Sequence, residues 1–154
     1  MTPAKIPLHH TGYVVDASVG VKWFADEEEA EAAKAQALLE PFRTGRIRLA
    51  VPGLLFYLEV AAGLRSHPKA GEDAVSKCLK TLWALGLECR EADETLLSKA
   101  NAIAHGYDVT LHEGAYVALA EMLGFPLLTC DPEIQRRMKA HAIVLPLASM
   151  ELAV

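Results

Sequence analysis

The amino-acid sequence predicts an α/β fold, with a parallel sheet covered by helices on both faces. Short apolar runs alternate with longer helix-forming segments along the chain, which is the pattern of β-α-β units. Gly and Pro punctuate these segments at their ends, so the alternation is sharp. The chain has 154 residues, 52% of them hydrophobic, without repeats or a linker. That is enough for one domain with its own core.

The elements follow in order. Residues 1–12 read as a short extension, where Pro3, Pro7 and Gly12 oppose a helix and part of the segment is expected to be loose. They lack the apolar stretch of a signal peptide. One domain is expected over 13–154. Tyr13-Val14-Val15 is a buried strand ending at Asp16, and Ser18–Phe24 a short helix. Glu27–Phe42 is rich in Glu, Ala, Lys, Gln and Leu and predicts a longer helix, stopped at Arg43-Thr44-Gly45. Ile47–Val51 is a second strand. Pro52-Gly53 opens a helix to about Arg65, and Ala70–Leu85 is another, ended by Gly86. Leu87-Glu88-Cys89 is a weak strand. Glu91–His105 and Thr110–Leu123 are helices, stopped at Gly106 and Gly124. Leu127-Leu128-Thr129 is a strand, Asp131–Ala140 a helix and Ile143-Val144-Leu145 the last strand.

Composition removes several functions. No apolar run is long enough to span a membrane. Three cysteines, Cys78, Cys89 and Cys130, without a CxxC, suggest neither a disulfide framework nor a zinc site, and a reducing cytosol is the simplest home. A net charge of -5 gives no general affinity for nucleic acid, so any phosphate-binding surface must be local. GxSxG, Walker, GxGxxG and HExxH patterns are all missing.

Four carboxylates hold the chemical interest. Asp16 sits at the carboxyl end of a strand, where ligands of parallel sheets bind, though a turn would also use it. Ser18 reads as a helix N-cap. Glu59 is the most informative: its helical neighbours Leu55, Phe56, Ala62 and Gly63 are apolar or small, so its charge points where a carboxylate needs a partner. Arg65 or another cation would serve, but a metal ion or an open acidic cleft explains it better. Glu113 matches a capping box with Thr110 and also stands at the mouth of an apolar helix. Asp131-Pro132 is a good helix start as well as a strand end, and the two roles coexist. Thr129 is read as core packing rather than the orienter of a water. His112 is read as non-catalytic, because adjacent helical residues do not share a face. Cys130 is read as a buried strand residue.

Together these blocks resemble the PIN domain, and its VapC-like bacterial toxin branch in particular. The resemblance rests on Val14-Val15-Asp16-Ala17-Ser18-Val19 with Lys22-Trp23-Phe24, then Pro52 and Leu54-Leu55 leading to Glu59-Val60-Ala61. It continues through Glu113-Gly114-Ala115-Tyr116-Val117-Ala118-Leu119-Ala120-Glu121 and Pro126-Leu127-Leu128-Thr129-Cys130-Asp131. It implies a three-layer α/β/α sandwich. It also implies a quartet of acids, Asp16, Glu59, Glu113 and Asp131, holding Mg²⁺ or Mn²⁺ and hydrolysing RNA to 5′-phosphate and 3′-hydroxyl ends. A VapB-like antitoxin covering the acidic groove and a homodimer are implied as well. Two departures stand out: the third acid of the branch is usually Asp and here is Glu113, and the Asn that often follows the second acid by three is Ala62. A PIN-like module that binds a partner without cutting stays open as a second reading. A receiver- or dehalogenase-like domain would want a second Asp beside Asp16, where Ala17 and Ser18 stand. Lys22, Arg65, Arg136, Arg137 and Lys139 are the candidate cations for an RNA backbone.

Overall fold

The computed structural model describes residues 12–151, so the N-terminal extension expected over residues 1–12 lies almost wholly outside the described residues. Five short parallel strands form one sheet: β1 (Gly12–Val15), β2 (Arg48–Pro52), β3 (Glu88–Arg90), β4 (Leu127–Thr129) and β5 (Val144–Pro146), in the spatial order β3-β2-β1-β4-β5. All five predicted helices after the second strand appear, as α4 (Gly53–Arg65), α5 (Glu72–Ala84), α6 (Glu94–Tyr107), α7 (Leu111–Leu123) and α8 (Pro132–Arg137). The predicted α/β class with a central parallel sheet is the observed one. β1, β2 and β4 are almost completely buried, as parallel strands covered on both faces must be. Three strands, β2, β3 and β5, begin one residue later than the apolar runs predict, because pairing with neighbours sets the register: Leu128 lies opposite both Val15 and Leu145.

The single long helix expected over 27–42 does not form. The chain instead makes α2 (Ala32–Gln36) and α3 (Leu39–Arg43). Pro41 explains the break: in a continuous helix its ring would clash with the carbonyl of Ala37, and it has no N–H to give. The first part fails for a different reason. Asp26, Glu27, Glu28 and Glu29 crowd one short stretch with like charge, and the chain turns there. Glu31, the residue before α2, takes a left-handed φ of 66°.

The packing that matters for the site is between α1 (Ala17–Lys22) and α4. Gly20 faces the Phe56 ring and the Val60 side chain, and Gly63 faces Val21. An added Cβ at either glycine would come within 2.8 Å of those side chains. Two glycines, one on each helix, thus let the backbones approach and bring the start of α1 close to the middle of α4. On the other side of the sheet centre, Gly114 of α7 lies against the backbone carbonyl of Ala100 in α6.

Candidate functional site

In the strand order, β1 lies between β2 and β4, and the connections leave it in opposite directions. A crevice opens at such a switch point, at the carboxyl ends of the two strands. Asp16 follows β1 directly, and Asp131 follows β4 by two residues. Glu59 reaches the crevice from α4 and Glu113 from the first turn of α7. The four predicted acids therefore line one cavity of about 290 Å³, together with Ser18 and Tyr116.

Asp16 is 3% exposed and is the hub of the arrangement. It caps α1: the Ser18 amide donates to its Oδ1 at 2.8 Å, and the Ser18 hydroxyl donates to the same oxygen. This corrects the expected N-cap, because Ser18 serves the cap rather than forming it. The Thr129 hydroxyl donates to Oδ2. Both hydroxyls also accept: Ser18 Oγ from the Cys130 amide across the crevice at 2.8 Å, and Thr129 Oγ1 from the Asp131 amide on its own turn at 3.0 Å. Thr129 thus does more than pack the core, since it ties the first acid to the backbone of the fourth. Cys130 lies just past the end of β4 and is half-buried.

No Lys, Arg or His answers the Asp16 carboxylate through a salt bridge among the described residues. Burial pushes its pKa up to about 6, from an ordinary value of about 4, and the nearby Asp131 charge adds to the rise. The hydroxyl and amide donors pull in the opposite direction but do not offset burial. The folded pKa lies above the unfolded one. Between about pH 4 and 6 the folded protein therefore keeps a proton that the unfolded chain has released. Stability from this group is greatest below that window, falls as pH rises through it, and is level above. Urea melts of the metal-free protein should show this loss, about 3 kcal/mol in full, superimposed on other titrations. An Asp16→Asn variant whose melts keep the same pH slope as the parent's would show that Asp16 is not its source.

The other three acids each engage one oxygen. The Tyr116 hydroxyl donates to Glu59 Oε1 at 2.7 Å, so the partner of this carboxylate is a phenol and not Arg65. Burial and the Glu59 charge push the Tyr116 pKa up, which keeps it protonated as a donor. Glu113 closes the predicted capping box: its Oε2 accepts from the Thr110 amide at 2.9 Å, and its own amide donates to Thr110 Oγ1 at 3.1 Å. Asp131 Oδ1 caps α8, accepting from Glu133 at 2.8 Å, with Pro132 at the first helical position. Among the described residues, Glu59, Glu113 and Asp131 each retain one carboxylate oxygen without a protein donor.

The donor set fits a hard divalent cation. Four carboxylates line the cavity without a Lys or Arg, and hard cations such as Mg²⁺ take oxygen ligands. The capping bonds do not exhaust the acids. The side chains are not yet gathered, however: no group of three described His, Cys, Asp or Glu residues stands close enough to hold one ion.

The sequence alone does not show the part that four further residues play. Tyr116 is three residues after Glu113, the spacing of one helical face, so that signal was present. The bridging roles of Ser18 and Thr129 depend on β1 and β4 being neighbours. His112 also lines the cavity, contrary to the argument from adjacent faces, because at the first turn of a helix both residues border the open end.

The comparisons with known proteins agree with this architecture. A family model described as the PIN domain matches residues 13–140. The chain is 34% identical over 132 residues to Ribonuclease VapC3 of Pyrobaculum aerophilum, covering 82% of this chain and 95% of that protein. Among solved structures, PAE2754 from Pyrobaculum aerophilum superposes with a TM-score of 0.64 at 20% identity, over 91% of this chain and 92% of that one. A toxin-antitoxin complex from Klebsiella pneumoniae superposes with a TM-score of 0.64 at 15% identity, over 88% and 97%. With the family model spanning most of the chain and a relative above 30% identity along nearly its full length, the chain belongs to the PIN-domain family.

Proposed function

We propose that the protein is a metal-dependent endoribonuclease of the VapC-like type, with Asp16, Glu59, Glu113 and Asp131 as ligands for Mg²⁺ or Mn²⁺. The observation that carries this reading is the convergence of four carboxylates, from four separate elements, on one crevice that among the described residues holds no Lys or Arg to neutralise them. A relative named as a ribonuclease supports the substrate class.

When bound, a divalent cation would supply the charge that acidifies an attacking water and steadies the phosphate. The chain's own part is positioning. Ser18 and Thr129 fix both oxygens of Asp16. Tyr116 aims Glu59 and donates a proton that its raised pKa prevents it from losing. Thr110 and the α8 amides restrain Glu113 and Asp131. Glu113 in place of Asp carries its carboxylate one methylene further out, which favours a cation of relaxed geometry over Mg²⁺. Ala62 supplies no polar support at the position where the family often has Asn.

In this reading the protein is the toxin of a toxin-antitoxin pair, acts in the cytoplasm as a homodimer, and is held by a VapB-like antitoxin. The similar fold in the toxin-antitoxin complex from Klebsiella pneumoniae supports that assignment. No described helix is long and apolar enough to cross a membrane.

The test is digestion of mixed cellular RNA by purified, partner-free protein with Mg²⁺ or Mn²⁺. Discrete cleavage should fall by more than about a hundredfold in Glu59→Gln and disappear in EDTA. Folded protein that cuts nothing with either metal sinks the enzyme reading. It would favour a binding module, which the capping roles of Glu113 and Asp131 would serve without any chemistry.

A further inference from the structure

Two further grooves border the acid cavity, each sharing lining residues with it, and each brings one uncommitted donor to its edge. On one side the neighbouring groove shares Ser18 and Asp131 with the acid cavity and is lined by Lys22. On the other, His112 lines both the acid cavity and an apolar groove that also holds Leu54, Leu97 and Leu111. Among the described residues, Lys22 forms no ion pair. Among those residues the His112 ring likewise makes no hydrogen bond, and it is exposed.

The other candidate cations are engaged elsewhere or stand away from the crevice: Lys139, just past α8, lines neither the acid cavity nor the two grooves beside it. Arg136 pairs with Glu133, and Arg137 with both Glu133 and Asp108. Arg65 lines a different cavity beside α5. Within the acid cavity the hydroxyls of Ser18 and Tyr116 already donate to Asp16 and Glu59. A polyanion crossing this crevice meets carboxylates in the middle and needs donors on both flanks.

We propose that Lys22 and His112 grip the RNA backbone on opposite sides of the acid quartet, and so set the track of the strand across the cavity. The ribonuclease reading underlies this assignment. Lys22 acts as a point charge on one phosphate, and His112 as an N–H donor to another. Glu29 lines the Lys22 groove and repels phosphate, so the track does not extend far in that direction. Neither residue needs to take part in the chemistry; both are positioning residues.

The test measures binding of a fluorescein-labelled single-stranded RNA of mixed sequence by anisotropy, in the Glu59→Gln background with Mg²⁺. Lys22→Ala and His112→Ala should each weaken binding by about tenfold. Lys22→Ala should also lower the slope of log Kd against log salt by about 0.7, whereas His112→Ala leaves the slope unchanged. Lys22→Arg and His112→Asn keep a donor and should hold affinity close to the parent's. These rescues separate a lost contact from a damaged fold. If the otherwise wild-type protein cuts RNA while either alanine variant binds as tightly as its parent, the two-sided track is overturned and the nuclease reading stands. If the protein neither binds nor cuts RNA, both are overturned.

Discussion

Asp16→Asn should melt about 5 °C higher than the parent in EDTA at neutral pH, and cut RNA more than about a hundredfold slower. The two effects have one cause. Asp16 is buried with no Lys, Arg or His paired to it among the described residues, and its raised pKa records what the charged form costs the metal-free fold. Asn removes the charge but keeps the size. The Ser18 and Thr129 hydroxyls can turn to donate to its oxygen or accept from its nitrogen. At about 2–4 °C per kcal/mol for a chain of this size, recovering about 2 kcal/mol gives the rise stated. The activity loss follows because the amide cannot hold a cation as a carboxylate does, and even the partners of metal ligands are worth ten- to a hundredfold. Calorimetry and RNA digestion on the same preparation check both halves. A lower melting temperature would show that the charged carboxylate is not a cost to the fold.

Gly114→Ala should destabilise the protein by about 3 kcal/mol, lowering its melting temperature by roughly 6–12 °C. The new Cβ would stand 2.5 Å from the Ala100 carbonyl oxygen. That obstacle is backbone, not a side chain that can swing aside, so α7 must move away from α6. Glu113 precedes Gly114 directly, so activity should fall along with stability. Gly106→Ala is the matched control: it lies within α6, meets nothing within 4 Å, and should be neutral or stabilising by up to about 1 kcal/mol. Equal melting temperatures for Gly114→Ala and the parent would show that the helices tolerate separation at this point.

Much of this architecture can be read from local chemistry. The strand ends at Asp16 and Asp131, the capping box at Thr110 and Glu113, and the Pro132 helix start each follow from a few neighbouring residues, and each is present. Glu59 stands out because its helical neighbours are apolar, an argument that needs no tertiary knowledge. The failures are of two kinds. The segment 27–42 reads as one helix because residue propensities add favourably, while Pro41 and the acidic run act through sterics and repulsion that propensities do not carry. The bridges from Ser18 to Cys130 and from Thr129 to Asp16 span more than a hundred residues of chain. They exist only because β4 pairs with β1, and no local pattern encodes that.

The one-oxygen restraint on Glu59, Glu113 and Asp131 has an entropic side. A free glutamate or aspartate samples several rotamers, and freezing a side chain costs up to about 2 kcal/mol. Here the Tyr116 hydroxyl, the Thr110 amide and the Glu133 amide narrow those rotamers during folding. Ion capture then begins from side chains whose freedom is already reduced, with one oxygen of each still available. A helix cap and a ligand are usually regarded as competing uses of a carboxylate. In this crevice the cap performs the ordering that the ligand would otherwise require.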